Sequence, residues 1–234
     1  MTVLLTSHLF IGAIAVIAGL IAFFAKKGSA LHRYAGVIFA GAMVYTAGGG
    51  TLIAIDRPEA LTGLVGLFTC YLVVSGLITV KPRGKWSTAI DRFILTSATL
   101  LVAAFVYSGL KAPSVSPQLG ITPPVYFGFA AIAAMAAVDD FLSLCQGGLK
   151  RHWRITRHLW RMGFSLYIAA GSLLDGPGTK VFPEQLAGTL WMTAPVQLIG
   201  FLILFWLIST VFSRQINKLN LYLKQHIQQF RRQS

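Results

Sequence analysis

Long apolar runs, each about 18–22 residues and free of charge along most of its length, decide what this chain can fold into. Coiled as a helix at about 1.5 Å per residue, such a run crosses the roughly 30 Å hydrocarbon core of a bilayer. A helix is also the one unclosed structure that satisfies its own backbone hydrogen bonds there. The runs lie at about 4–25, 34–55, 60–80, 93–112, 125–146, 155–174 and 190–212. Of the 234 residues 55% are hydrophobic and only 12% charged, so a water-soluble fold of this size has no means of hiding the apolar surface. The expectation is an all-α, polytopic membrane bundle of about seven transmembrane helices over residues 1–213, followed by a basic amphipathic tail over 214–234. No basic stretch precedes the first run and no small-residue cleavage site follows it, so it reads as a retained helix and not a signal peptide.

Charge gives the orientation. The net charge is +13, and its Lys and Arg sit in every second connection. The segments 26–33, 81–92 and 147–161 are basic, the last with Lys150, Arg151, Arg154, Arg157 and Arg161, whereas 56–59, 111–124 and 175–185 are close to neutral. The positive-inside rule puts the basic connections in the cytoplasm, which for seven helices and a basic tail means N-out and C-in. The same charges suit anionic lipid of the inner leaflet. Nucleic acid is not an expected partner, because no basic face is interleaved with stacking aromatics. Trp86, Trp153 and Trp160 at the inner boundary, with Tyr126 and Trp191 at the outer one, read as aromatic belts.

Each of the three basic turns ends in a charged pair at the next helix start: His32-Arg33, Asp91-Arg92 and Arg157-His158. A threefold repeat of hairpins would produce this, and so would the charge rule acting on any hairpin, which is the simpler reading. In the tail, Ile216, Leu219, Leu223, Ile227 and Phe230 recur at helical spacing among Lys and Arg. It either continues the last helix, lies on the inner leaflet or meets another copy; lying on the leaflet is the simplest of these.

A charge at mid-depth in a membrane helix costs about 2.5–3.5 kcal/mol, so each asks for a reason. Asp139 and Asp140 lie in the inner half of the fifth run, and their side chains should diverge by about 100° and seek different partners. On the sixth, Arg154, His158 and Arg161 share a face by spacing, and a short turn brings them to the depth of the aspartates. At least one Asp–Arg or Asp–His pair is expected. With His32, Arg33 and Arg157, these residues form a candidate ligand-binding cluster at the cytoplasmic end. An anionic head group, a quinone ring or haem propionates would suit it. Interhelical salt bridges with snorkelling arginines would give the same residues without any ligand.

Further polar groups in the membrane are His8, Asp91 and Arg92. His8 stands alone near the outer end of the first run, so haem b ligation there lacks a second histidine. On the inner side, His32, His152 and His158 are the candidate axial ligands. Gly48-Gly49-Gly50 marks either close packing or local unwinding, and close packing is the expected one. Cys70 and Cys145 read as buried thiols, with no metal-binding spacing. No phosphate-binding Gly-x-x-x-x-Gly-Lys, no His-Glu-x-x-His and no Gly-x-Ser-x-Gly is present, which removes support for ATP-driven transport by this chain and for the common hydrolases.

The stretch from His8 to Gly12, then Lys27-Gly28 and Leu31-His32-Arg33 to Gly36, resembles the start of a group of predicted bacterial multi-pass inner-membrane proteins of unassigned function. The likeness extends through the third run and returns loosely in Arg157-His158-x-x-Arg161. It implies the bacterial inner membrane and no particular reaction. A more distant likeness is to two-haem b-type cytochromes, from which the chain departs by lacking an outer histidine pair. Three functional classes remain. The first is binding of an amphipathic or redox ligand, in electron transfer for example. The second is ion-coupled transport through Asp139 or Asp140. The third is a non-catalytic subunit packed on a partner chain or on a second copy.

Overall fold

The computed structural model describes residues 2–55, 60–82, 84–112, 122–175, 182–186 and 188–210. The basic tail and the connection 56–59 lie outside the described residues. Seven long helices account for nearly all the rest: α1 (Thr2–Phe24), α2 (Ala30–Ala54), α3 (Ala60–Val80), α4 (Ser87–Lys111), α5 (Pro123–Cys145), α6 (Arg151–Leu174) and α7 (Leu190–Thr210). A 3-10 turn, Glu184–Leu186, precedes α7. Among the described residues there is no strand.

All of these except α6 are long and apolar enough to span a bilayer. Together they make the chain a multi-pass helical membrane protein. α6 is the exception because Arg151, Arg154, Arg157 and Arg161 fall in its first three turns. About seven transmembrane helices were expected from the runs. The described residues form seven long helices, six of them apolar and α6 polar, with its Arg157 and Arg161 buried and its Arg151 exposed.

Local chemistry fixes the helix ends. Gly28 takes φ +80° between α1 and α2, and the Ser29 hydroxyl accepts from the His32 amide at 3.2 Å as an N-cap. The last carbonyls of α1 are taken up by this same turn: His32 Nδ1 meets the Ala22 carbonyl at 2.9 Å, and the Lys27 ammonium donates to Phe23. Partial burial pushes the Lys27 ammonium below its ordinary range. Pro123 and Pro124 open α5, where a missing amide N–H costs little. α5 ends in a Schellman motif, with Gly148 N–H bonded to Ser143 at 2.8 Å, Gly147 N–H bonded to Leu144 at 3.2 Å, and Gly147 at φ +63°. Helices α2, α4 and α6 begin four to six residues earlier than the apolar runs suggested. His32-Arg33 therefore sits inside the first turn of α2, and Asp91-Arg92 in the second turn of α4.

α3 is the hub. It packs on α2, α4 and α6 and touches α5, while α1 packs on α2 and α6. One core, around Phe68, joins α3, α4 and α5: the Phe68 ring meets Phe105, Phe129 and Phe164 edge-on. The other joins α1, α2, α6 and α7, where Gly163 receives Ile203 and Gly200 receives Tyr167. α5 and α6, consecutive in sequence, are not among the closely packed pairs. That separation argues against a repeat of equivalent hairpins.

α2 runs unbroken through Gly48-Gly49-Gly50, as close packing there requires, and the last two face His8, whose ring would stand 3.1 Å from a Cβ on Gly50. Other expectations are corrected by this packing. Tyr126 is buried against Gly109 and Trp160 is half-buried, so neither belongs to an aromatic belt, while Trp86 and Trp191 are exposed. Cys145 is exposed, and Cys70 is half-buried with its thiol directed at the Val44 carbonyl of α2, 3.7 Å away.

The tightest helix crossing is α2 on α3, where a Cβ on Gly66 would stand 2.6 Å from the Ala47 carbonyl oxygen. Backbone cannot step aside there as a flexible side chain would. Gly66→Ala is expected to lower stability in detergent micelles by about 1–3 kcal/mol, although alanine favours a helix by about 1 kcal/mol. Gly36→Ala, with nothing within 4 Å of its Cβ, is expected to be neutral or stabilising in the same unfolding measurement. Equal responses would contradict this packing.

Candidate anion-binding site

α5 and α6, which are not among the closely packed pairs, share the most strongly charged group of buried side chains. Arg157 and Arg161, one turn apart on α6, reach across to α5. Arg157 Nε stands 2.8 Å from Asp139 Oδ2, and its Nη2 donates to Asp140 Oδ1. Arg161 Nη2 lies 2.9 Å from Asp140 Oδ1 and 3.2 Å from Asp139 Oδ2. From α3, the Tyr71 hydroxyl donates to Asp140 Oδ2. Both aspartates therefore share both arginines, against the expectation that they would diverge. The guanidinium groups are long enough to bridge neighbouring positions on α5. The arginines that pair are 157 and 161, not the 154/158/161 face. Arg154 and His158 turn to α3 instead, onto the carbonyls of Thr79 at 2.7 Å and Gly76 at 3.0 Å.

Burial sharpens the electrostatics. Arg161 is wholly buried, Asp140 is 2% exposed, and the Asp139 side chain is 29% exposed. Two positive and two negative groups cancel within the cluster, which is what a buried ionic group requires to persist in low dielectric. Hydrogen bonding is less complete. Arg161 spends Nη2 on the two aspartates and on the Ala136 carbonyl at 3.2 Å, and lies between the rings of Tyr71 and Trp160 at 5.3 and 5.4 Å. Its Nε and Nη1 are buried and meet no acceptor among the described residues. A guanidinium cannot shed its proton to escape that penalty.

Arg157 and Arg161 both line a pocket of about 380 Å³ between α3, α4, α5 and α6. Its floor also carries the buried hydroxyls of Ser75 and Ser143. Lys81, Lys85 and Trp86, in the turn from α3 to α4, form a rim, and Ile78, Ile90, Ile94 and Leu149 give it apolar walls. The N-terminus of α4 opens here as well: Trp86 at its cap position makes no side-chain cap bond, and the first turn holds no acidic residue. The Ser87 amide is bonded to the Gly84 carbonyl at 3.1 Å, and the helix dipole adds positive potential. Arg154 also lines the pocket, fixed by bonds to the Thr79 and Lys81 carbonyls at the end of α3. Among the described residues, Asp91 is the one acidic residue in the lining.

Of the residues singled out from the sequence, Asp139, Asp140, Arg157 and Arg161 come together, and Asp91 faces the same pocket. His32 and Arg33 do not join them. His32 caps α1, and Arg33 is exposed and donates to the Gly28 carbonyl at 2.6 Å. Arg92 is exposed, and His8 lies against α2. No histidine lines the pocket, so it supplies no axial haem ligand, and no group of three His, Cys, Asp or Glu gathers among the described residues. Tyr71 and Ser75 were missed in the sequence. Their signal was present as a stripe, Tyr71–Ser75–Thr79, at every fourth residue of α3.

Compared with family models, with curated proteins and with solved structures, the chain matches none.

The unequal burial of the two aspartates gives a direct test. Asp140→Ala strands two arginines and a tyrosine in the interior and is expected to cost about 3–5 kcal/mol of unfolding free energy in micelles. Asp139→Ala, at the more open position, is expected to cost clearly less. Equal losses would mean that Asp140 is not the deeper anchor.

Proposed function

We propose that this is a multi-pass protein of the bacterial cytoplasmic membrane, basic end inward, that binds an amphipathic ligand by an anionic head group in the pocket between α3 and α6. The observation that carries this reading is Arg161: wholly buried, charged, facing the pocket, and holding Nε and Nη1 without a protein acceptor. An anion reaching that depth gains charge-assisted hydrogen bonds in low dielectric, where they are strongest. The apolar walls and the exposed Trp86 at the rim suit a ligand whose other end lies in the bilayer. Asp139 and Asp140 are both engaged by arginines, which leaves neither as a free carboxylate for a coupling ion and speaks against ion-coupled transport.

The test compares head groups at constant tail. Dihexanoyl phosphatidylglycerol, added to the protein in a neutral maltoside detergent, is expected to raise the unfolding temperature in a saturable way. At a hundredfold excess over Kd the stabilisation is about 2.7 kcal/mol. Dihexanoyl phosphatidylcholine is expected to have little effect. Equal responses to the two lipids would sink the reading.

A further inference from the structure

We propose that His32 of α2, with His158 and Met162 of α6, forms a binding site for a copper(I) ion at the end of the bundle where Lys27 leads from α1 into α2. The site faces α1, α2 and α3, away from the aspartates of α5, and it does not rest on the anion reading above.

The two imidazoles are held as metal ligands are held. His32 Nδ1 meets the Ala22 carbonyl at 2.9 Å, and His158 Nδ1 meets the Gly76 carbonyl at 3.0 Å. A carbonyl oxygen only accepts, so each Nδ1 carries the proton and the neutral ring keeps its lone pair on Nε2. Metal-ligating histidines share this arrangement, in which the second nitrogen donates to a carbonyl or carboxylate. That bond fixes the tautomer, directs the ring and raises its basicity. Among the described residues neither Nε2 is engaged in a hydrogen bond, and both rings are half-buried.

Helix register brings the groups to one level. Leu166 of α6 and Phe39 of α2 both press on Gly19 of α1, at 2.7 and 2.9 Å from where a Cβ would stand. Two turns back along α6 from Leu166 stands His158. The same two turns, about 12 Å, lead from Phe39 to His32 at the start of α2 and from Gly19 to Lys27 beyond the end of α1. Electrostatics agrees with this placement, because His32 and Lys27 both act on the His158 ring as neighbouring charges. Met162 lies one turn above His158 on the same face of α6. Its Sδ stands 3.2 Å from where a Cβ on Gly76 would be, so thioether and imidazole converge on one residue of α3.

Ligand type and charge select the ion. Among the described residues no thiol or carboxylate completes the group, which leaves two imidazoles and a thioether, all neutral. A thioether is a soft ligand and favours copper(I), while calcium and magnesium call for oxygen. The Lys27 ammonium is fixed nearby, donating to the Phe23 carbonyl and lying over the Trp206 ring at 5.6 Å. Its repulsion weighs on a divalent ion twice as heavily as on a monovalent one.

The experiment titrates the full chain in a neutral maltoside detergent with copper(I), under ascorbate and without oxygen, against the chelator bicinchoninate. Stoichiometric copper(I) binding is expected. His32→Asn and His158→Asn keep an N–H for the Ala22 and Gly76 carbonyls but lack Nε2. Each is expected to keep the unfolding temperature of the metal-free chain and to weaken copper(I) binding at least about a hundredfold, more than loss of an outer-shell partner costs. Cys145→Ser, which removes the exposed thiol, is expected to leave the affinity unchanged. In that variant, X-ray absorption of the bound copper is expected to show imidazole nitrogen and a sulfur neighbour, and Met162→Leu, close in volume, to remove the sulfur. Failure to bind copper(I), or affinity unchanged in both Asn variants, would overturn the inference. So would affinity lost with Cys145 or sulfur that persists in Met162→Leu. Zinc bound as tightly through the same histidines would uphold the site and overturn its choice of ion.

Discussion

Two carboxylates and two guanidinium groups, taken out of water between α5 and α6, set the conditions that the rest of the bundle meets. An ion pair in low dielectric is strong, but the cost of desolvating its members is of similar size. Such a group persists where every charge has partners and nothing nearby tips the balance. Here the partners come from three helices: Asp139 and Asp140 on α5, Arg157 and Arg161 on α6, and Tyr71 on α3. The arginines span a distance that small side chains could not. They hold α5 to α6 at arm's length, where apolar packing would have drawn the two together. The pocket beside them follows from that spacing.

α6 is then intelligible as a polar axis surrounded by apolar helices. Arg154 is spent on the carbonyl end of α3 and His158 on the Gly76 carbonyl, while Arg151 is exposed. α3 gives its apolar face to Phe68 and the first core and its polar stripe to the ionic cluster. Close glycine contacts at Gly66 and Gly163 bring α2 onto α3 and α7 onto α6. Stability and site thus share residues, and any variant of Arg161 is read for both at once.

Helix number and placement were legible in the sequence because a bilayer imposes one length and one composition on what crosses it. Asp139 and Asp140 stood out for the same reason: charge is costly there. What was not legible was partner choice. Spacing on α6 put Arg154, His158 and Arg161 on one face, yet two of these turned to α3, because carbonyls in the last turns of α3 compete for donors. His32 looked like a member of the cluster by depth alone, but depth does not give direction, and it caps α1. Tyr71 was hidden because tyrosine in an apolar run is ordinary. The pocket itself arises from helices distant in sequence, and no local pattern records it.

A double-mutant cycle on unfolding free energy, with Asp140→Asn, Arg157→Gln and the two combined, tests most directly the claim that this cluster organises the bundle. The account predicts strong coupling, about 2 kcal/mol or more between the two positions. Additive losses would contradict it, and would mean that α5 and α6 are held by packing elsewhere.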